Sequence, residues 1–141
     1  MEKNILSIDL GKHTCGLAIS RTGILSSPLS PFTISNLDYS PLIDYLINLS
    51  KVEKIETIVI GYPLYPSGDK CEMTSIVEKF KEDLEKVFTN IKIEFQDERD
   101  STLQASEFLH LQGKNSKKQK QYIDSASACV ILDRYINRVN K

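Results

Sequence analysis

Residues 5–20 read ILSIDLGKHTCGLAIS, and the two apolar runs in this stretch determine how the fold starts. The runs at 5–10 and 15–20 predict two β-strands, and the short turn that begins at Gly11 makes them antiparallel neighbours. In the second run bulky and small residues alternate, so one face of that strand is bulky and the other is small. We therefore expect the chain to open on an antiparallel β-hairpin.

Beyond this hairpin, apolar periodicity predicts further strands and helices. The further predicted strands are 29–34, 57–60 and 91–96. Pro28 and Pro31 place the first of these at a sheet edge, because proline cannot donate to a β-ladder. The predicted helices are one with Ser40 as its N-cap, then 73–88, 102–112 and 122–138, with a basic loop at 115–120. The order β-β-β-α-β-α-β-α-α predicts an α/β fold, in which a mixed sheet starts antiparallel, continues through βαβ crossovers and carries helices on both faces.

Length and composition restrict the class of protein. A chain of 141 residues predicts one domain over 1–141, long enough to bury a core without a metal or disulfide. Hydrophobic residues make up 40% and charged residues 26%, which suits a soluble globular protein and argues against a disordered chain. The net charge of −1 excludes a histone-like polycation and leaves a local basic patch open.

The cysteines and the apolar segments predict where the protein works. Three cysteines without a CxxC pair favour neither a disulfide framework nor a zinc site, and they fit a reducing cytoplasm. Charged residues interrupt the N-terminal segment too early for the apolar core of a signal peptide. No stretch approaches the roughly 20 apolar residues of a membrane-spanning helix. We expect a cytoplasmic protein that does not enter a membrane.

Three acidic residues lie where predicted elements begin or end. Asp9 closes the first strand, Glu98 closes the strand that starts at Ile91, and Asp124 opens the last helix. Acids gathered over a mixed sheet can form an oxygen-rich site for Mg²⁺, which prefers carboxylates and its own waters. Asp9 is the strongest candidate, because an unpaired acid in an apolar central strand is otherwise costly. Taken singly, each acid is ordinarily a solvated surface carboxylate.

Four stretches of this chain resemble the motifs of one known family. They are IDLG at 8–11 with GLAIS at 16–20, GYPL at 61–64 with Gly68 beyond, DER at 97–99, and YIDSASA at 122–128 leading into VIL at 130–132. In order and spacing they resemble the YqgF (RuvX) family of pre-16S rRNA nucleases, also described as Holliday junction resolvases, which has an RNase H-like fold. Each stretch is weak alone, whereas the four together are specific and span nearly the whole chain.

The resemblance implies roles for the three acids. Asp9, Glu98 and Asp124 would be the catalytic acids and would bind one or two Mg²⁺ or Mn²⁺ ions. Asp97 and Glu98 are neighbours in a strand and should point to opposite faces, so only one of them is expected at the site. The family's pattern favours Glu98.

Basic residues near these acids are candidate contacts to substrate phosphates. They are Lys12, His13, Arg99, Lys114, Lys117, Lys118 and Lys120. Each also has an ordinary interpretation, since a turn histidine can be simply exposed, an arginine can pair with a carboxylate, and a lysine run is most often a solvated surface. The chain has Lys12-His13-Thr14 and Asp100-Ser101-Thr102 where the family usually has Thr-Lys-Arg and Leu-Thr-Thr. The resemblance therefore supports the metal site better than the substrate contacts.

Three functions compete at this stage. The first is a metal-dependent endonuclease that acts on structured RNA, in processing of the pre-16S rRNA 5′ end, or on branched DNA as a Holliday junction resolvase. The second is a non-catalytic nucleic-acid-binding protein of the same fold. The third is a nucleotide-binding ATPase or kinase, because residues 9–11 also look like the first phosphate loop of the actin and sugar-kinase superfamily, which needs two such domains.

The oligomeric state stays open between a monomer and a weak homodimer. Junction resolution requires a symmetric dimer that presents two sites. The sequence shows no convincing dimer face, which favours RNA processing.

Overall fold

The computed structural model describes residues 4–98 and 116–140, with the backbone but not the side chains of 116–124. The strands are β1 (Ile5–Leu10), β2 (Thr14–Ser20), β3 (Ser27–Thr33), β4 (Thr57–Tyr62) and β5 (Lys92–Asp97). The helices are α1 (Ser40–Val52), α2 (Glu72–Val87) and α3 (Ser116–Val139). The strands form one sheet in the order β3-β2-β1-β4-β5.

The sheet is mixed, as the sequence predicts. Strand β1 pairs antiparallel with β2, which pairs antiparallel with β3. On its other side β1 pairs parallel with β4, which pairs parallel with β5. The proline-containing β3 lies at one edge, so the edge prediction is confirmed. The antiparallel start followed by βαβ crossovers confirms the predicted α/β class.

Alternation along β1 divides the core between the two faces of the sheet. Leu6, Ile8 and Leu10 pack in the cluster that contains the buried residues of α1 and α2, and we call this side the α1/α2 face. Ile5 packs with the buried residues of α3, and Ser7 contacts that helix, so we call this side the α3 face. Asp9 continues the second set and therefore lies on the α3 face.

Helix α3 approaches the sheet closely because the strands beneath it carry small residues. Ala18 and Ser7 are fully buried under the helix. The hydroxyl of Ser7 donates a hydrogen bond to the carbonyl oxygen of Ala128 at 2.6 Å, and the hydroxyl of Ser125 donates one to the carbonyl oxygen of Leu29. These two bonds, the first of them buried, fix the register of α3 against β1 and β3 and satisfy polar groups that would otherwise be costly to bury.

Two details of the helix predictions are wrong. Ser40 is already helical; Tyr39 is the N-cap, and the carboxylate of Asp38 accepts a hydrogen bond from the Ser40 N–H at 3.0 Å. The basic segment predicted as a loop is helical over 116–120, so α3 begins earlier than predicted. Lysine and glutamine are good helix formers without an apolar period, and apolar periodicity alone misses such a turn. The predicted helix at 102–112 lies outside the described residues.

The parts of the chain that the structure describes include no helix that is long and apolar enough to cross a membrane. All three cysteines are free. Cys15 is buried, whereas Cys71 and Cys129 are only half-buried.

Candidate active site

The candidate site lies at the carboxyl ends of the parallel strands, where two predicted acids come together. Asp9 is the penultimate residue of β1, and Glu98 directly follows β5. Because β1, β4 and β5 are parallel, their carboxyl ends share one end of the sheet. The side chains of Asp9 and Glu98 are hydrogen-bonded to each other, although β4 runs between their strands. This contact is the central feature of the site.

Gly61 of β4 provides the space for that contact. A Cβ atom at this position would clash with carboxylate oxygen Oε2 of Glu98, and it would lie 3.0 Å from the carboxyl carbon of Glu98. It would also lie 2.6 Å from Cδ1 of Ile131, a fully buried residue of α3. The Glu98 carboxyl group therefore lies over the backbone of β4, under the edge of α3.

The pairing of two acids changes the protonation of Glu98. Burial raises the pKa of Glu98, and the nearby Asp9 carboxylate raises it further through its charge and its hydrogen bond, to about 9. At neutral pH the metal-free pair therefore shares one proton, and the protonated Glu98 donates the hydrogen bond to Asp9. A raised pKa beside a like charge is typical of functional sites.

Asp97 also affects this pair. It is the last residue of β5, opposite Tyr62 of β4, and its carbonyl oxygen accepts a hydrogen bond from Arg134 of α3 at 3.4 Å. Its negative charge adds to the raised pKa of Glu98. Of the two neighbouring acids Asp97 and Glu98, it is Glu98 that forms the side-chain hydrogen bond with Asp9.

Asp124 lies in α3, one helical turn before Ala128 and two before Ile131. That spacing puts its backbone on the helix face that packs against β1 and β4. Its side chain is outside the described residues. Within the described residues no group of three or more His, Cys, Asp or Glu side chains is placed to hold a metal ion. The assignment of Asp124 as a third ligand stays a prediction.

The candidate phosphate contacts are spread around the site. Lys12, in the turn after β1, forms an ion pair with Glu72 at the start of α2, with 2.7 Å between Nζ and Oε1. His13 is exposed in the same turn. The backbone of Lys117, Lys118 and Lys120 lies in the first turns of α3, ahead of Asp124. Arg99 and Lys114 lie outside the described residues.

One neighbour of the site was missed by sequence reasoning. Cys71, the N-cap of α2, is close enough to Glu98 for a thiolate there to raise the pKa of Glu98. The hydrogen bond with Thr74 lowers the pKa of Cys71, and its thiol donates a hydrogen bond to the carbonyl oxygen of Pro63 at 3.7 Å. No local pattern signals this proximity, because it depends on how α2 enters beside β5.

Comparisons with known proteins identify the family of this chain. A family model described as "RuvX: Holliday junction resolvase" matches residues 3–138. A Mesomycoplasma hyopneumoniae (strain 7448) protein named "Putative pre-16S rRNA nuclease" is 40% identical over 94% of this chain and 93% of its own length. Proteins of the same name from Onion yellows phytoplasma (strain OY-M) and Chlorobaculum tepidum are 35% and 33% identical, over 95% and 96% of this chain and 89% and 94% of their own.

Solved structures show a similar fold. RuvC of T. thermophilus in complex with a Holliday junction substrate superposes with a TM-score of 0.61 at 12% identity, over 96% of each chain. A second Thermus thermophilus RuvC structure gives a TM-score of 0.55 at 9% identity, over 97% of this chain and 96% of that one. At such low identity this likeness concerns the fold alone.

Proposed function

This chain belongs to the RuvX family, and from that premise we propose that it is a metal-dependent endonuclease that hydrolyses phosphodiester bonds at the 5′ end of pre-16S rRNA during ribosome biogenesis. Its fold is the RNase H-like fold expected from the sequence. The family match over 3–138 supports a single nuclease domain. Such an activity belongs in the cytoplasm, where ribosomes are assembled.

The observation that carries the proposal is the Asp9–Glu98 contact above Gly61. Two carboxyl groups held together at a strand end offer hard oxygen donors, which suit Mg²⁺ or Mn²⁺. Burial first, and then the nearby Asp9 carboxylate, raises the pKa of Glu98, so the metal-free pair keeps a proton whose place a cation can take. Asp9 and Glu98 therefore fit a divalent metal, and we propose that they bind it together with Asp124.

When bound, the metal supplies Lewis-acid stabilisation of charge that develops on phosphodiester oxygens. Residues of the chain contribute to metal binding in two ways. Glu98 must lose its proton before both carboxylates can act as ligands, so metal binding releases a proton and tightens as pH rises. Ser7 and Ser125 hold α3, and hence the backbone of Asp124, at the same end of the sheet as Asp9.

Positive charge near the acids supports a polyanionic substrate. Lys12 lies in the turn beside Asp9, and three lysines precede Asp124 in α3. We propose that these residues, with His13, Arg99 and Lys114, contact phosphates of a nucleic acid. The Lys12–Glu72 pair is exposed, so phosphate can replace Glu72 at low cost.

The description of the family model names a second candidate substrate, a four-way DNA junction. The three relatives described above, at 33–40% identity, are each named for pre-16S rRNA, which favours RNA. The two substrates make different demands on assembly, because resolution of a junction requires two symmetric sites. Light scattering distinguishes them, since a strict monomer contradicts junction resolution.

The test compares cleavage of a pre-16S rRNA 5′ fragment and a synthetic four-way DNA junction, each with Mn²⁺ or with EDTA. We expect Mn²⁺-dependent cuts in the RNA that Glu98→Gln abolishes. The matched control is Glu94→Gln, because Glu94 lies on the same strand and pairs with Lys92 outside the site. Cleavage that Glu98→Gln leaves intact, or no cleavage of either substrate, contradicts the proposal.

A further inference from the structure

Gly61 lies where the path from Asp9 to Glu98 crosses β4. Ile60 of β4 is opposite Ile8 of β1, which brings the next residue, Gly61, alongside Asp9. On its other side Gly61 is opposite Gln96 of β5, shortly before Glu98. A side chain on the α3 face at this position would stand between the two acids.

The need for glycine at this position comes from side-chain space. The positive φ angles among the described glycines occur at Gly23 and Gly68, so Gly61 has a backbone conformation open to any residue. The atoms that occupy the place of its missing Cβ belong to Glu98 and Ile131. Real Cβ contacts essentially never fall below 3.0 Å, so both neighbours would have to move if a methyl group were added.

We propose that Gly61 is a positioning residue for the catalytic acids: its missing side chain lets the Glu98 carboxyl group reach across β4 to Asp9. This inference rests on the proposed function, since it assigns Gly61 to the same metal site. The site thus depends on a residue that has no side chain of its own.

The same space also accommodates α3. Ile131 lies two helical turns after Asp124, and its Cδ1 occupies the other part of the space above Gly61. A methyl group at Gly61 therefore acts along two paths. It displaces the Glu98 carboxyl group directly, and it pushes on the helix that carries Asp124.

The fold should tolerate Gly61→Ala better than the site does. Both clashing groups are far ends of flexible side chains rather than backbone, so rotation relieves the clash. The carboxyl end of Glu98 can rotate toward water, which relieves its desolvation but breaks its contact with Asp9. We therefore expect a folded variant with a damaged metal site.

Three variants separate the two paths. Gly61→Ala affects both Glu98 and Ile131. The double variant Gly61→Ala/Ile131→Val lacks the Cδ1 atom and keeps only the clash with Glu98. Val59→Ala is the matched control, because Val59 is fully buried, lies two residues earlier on the same face of β4 and packs against α3 away from the acids.

The primary measurement is Mn²⁺ affinity, by titration calorimetry, alongside the melting temperature without metal. We expect Gly61→Ala to weaken Mn²⁺ binding at least tenfold. The double variant should regain melting temperature but not affinity. Val59→Ala should lose melting temperature and bind Mn²⁺ like wild type. Wild-type affinity in the double variant, or an equal loss in Val59→Ala, overturns the assignment.

A second measurement needs no metal and keeps this inference separate from the proposed function. Carboxyl ¹³C resonances of Asp9 and Glu98, assigned with Asp9→Asn and Glu98→Gln, report their contact in the metal-free protein. Gly61→Ala should shift both resonances, and Val59→Ala should shift neither. If wild type binds no Mn²⁺ while these shifts occur, the proposed function fails and the positioning role stands. Unchanged resonances in Gly61→Ala refute the positioning role itself.

Discussion

The Asp9–Glu98 pair should give the metal-free protein an unusual pH dependence of stability. The pKa of Glu98 is raised from 4.5 to about 9, first by burial and then by Asp9. Below pH 4.5 the folded and unfolded states both hold this proton. Between 4.5 and 9 the unfolded state releases it while the folded state retains it, so the free energy of unfolding falls as pH rises.

The size of this effect follows from the shift. Each pH unit between 4.5 and 9 lowers the free energy of unfolding by about 1.4 kcal/mol, so the loss at pH 7 has an upper limit of about 3 kcal/mol. Glu98 is only partly buried, and water screens part of the interaction, so we expect about 1–3 kcal/mol. For a domain of this size that corresponds to a change in melting temperature of roughly 2–12 °C.

Glu98→Gln tests this prediction because glutamine resembles the protonated acid. Its amide cannot titrate, and its N–H can donate to the Asp9 carboxylate as the protonated Glu98 does. In EDTA at pH 7, Glu98→Gln should be more stable than wild type by about 1–3 kcal/mol. The difference should vanish near pH 4.5.

Urea unfolding in EDTA at steps from pH 4.5 to 9 measures both curves. Glu94→Gln, on the same strand, should follow wild type throughout. A Glu98→Gln protein that is less stable than wild type at pH 7, or that keeps the wild-type slope against pH, would show that Glu98 is ionised in the folded state. The described pairing with Asp9 would then be wrong.

Three further predictions concern the metal and the substrate. Nuclease activity should fall about a thousandfold, equivalent to about 4 kcal/mol, in each of the variants Asp9→Asn, Glu98→Gln and Asp124→Asn. The circular dichroism spectrum of each variant should be unchanged. Full activity in two of the three variants contradicts the assignment of the site. Mn²⁺ at 100 times its dissociation constant should stabilise wild type by about 2.7 kcal/mol, which raises the melting temperature by roughly 5–10 °C. In thermal scans Asp9→Asn should lose most of that metal-induced shift. Without metal, Asp9→Asn should be no less stable than wild type. Neutralising Lys117, Lys118 and Lys120 together should reduce the salt slope of RNA binding by about two to three, and an unchanged slope would make these lysines ordinary surface residues.

The strands could be predicted from the sequence because each carries a local signal. Alternation in β1 and β2, and the uninterrupted apolar run in β4, depend only on neighbours in the chain. The alternation in β2 correctly separated its two faces: Cys15, Leu17 and Ile19 pack on the α1/α2 face, and Ala18 packs on the α3 face. The start of α3 was missed because its first turns have helix propensity but no apolar period.

The site could be predicted only in part. Asp9 stands out locally, as an acid at the end of an apolar strand. Glu98 and Asp124 were singled out by their places at the ends of predicted elements, and the resemblance implied their roles. The contact of Glu98 with Asp9 depends on the order of strands in the sheet. The space at Gly61 could not be predicted, because Glu98 and Ile131 fill it and neither is near Gly61 in the chain.

The free-energy cost of burying two carboxyl groups side by side and the capacity of the pair to bind a cation have the same origin, the concentrated negative charge of the two acids. The core of the α1/α2 face requires Leu6, Ile8 and Leu10, and strand alternation then turns Asp9 toward the α3 face. The opening at Gly61 adds a second carboxyl group there, and the pair is costly until a proton or a cation compensates its charge. Substitutions that relieve the repulsion should therefore stabilise the metal-free protein and weaken metal binding together. Gly61→Ala should follow only the second part of this rule: its methyl group separates the two acids and weakens metal binding without altering either acid, while its clash with Ile131 lowers the stability of the metal-free protein.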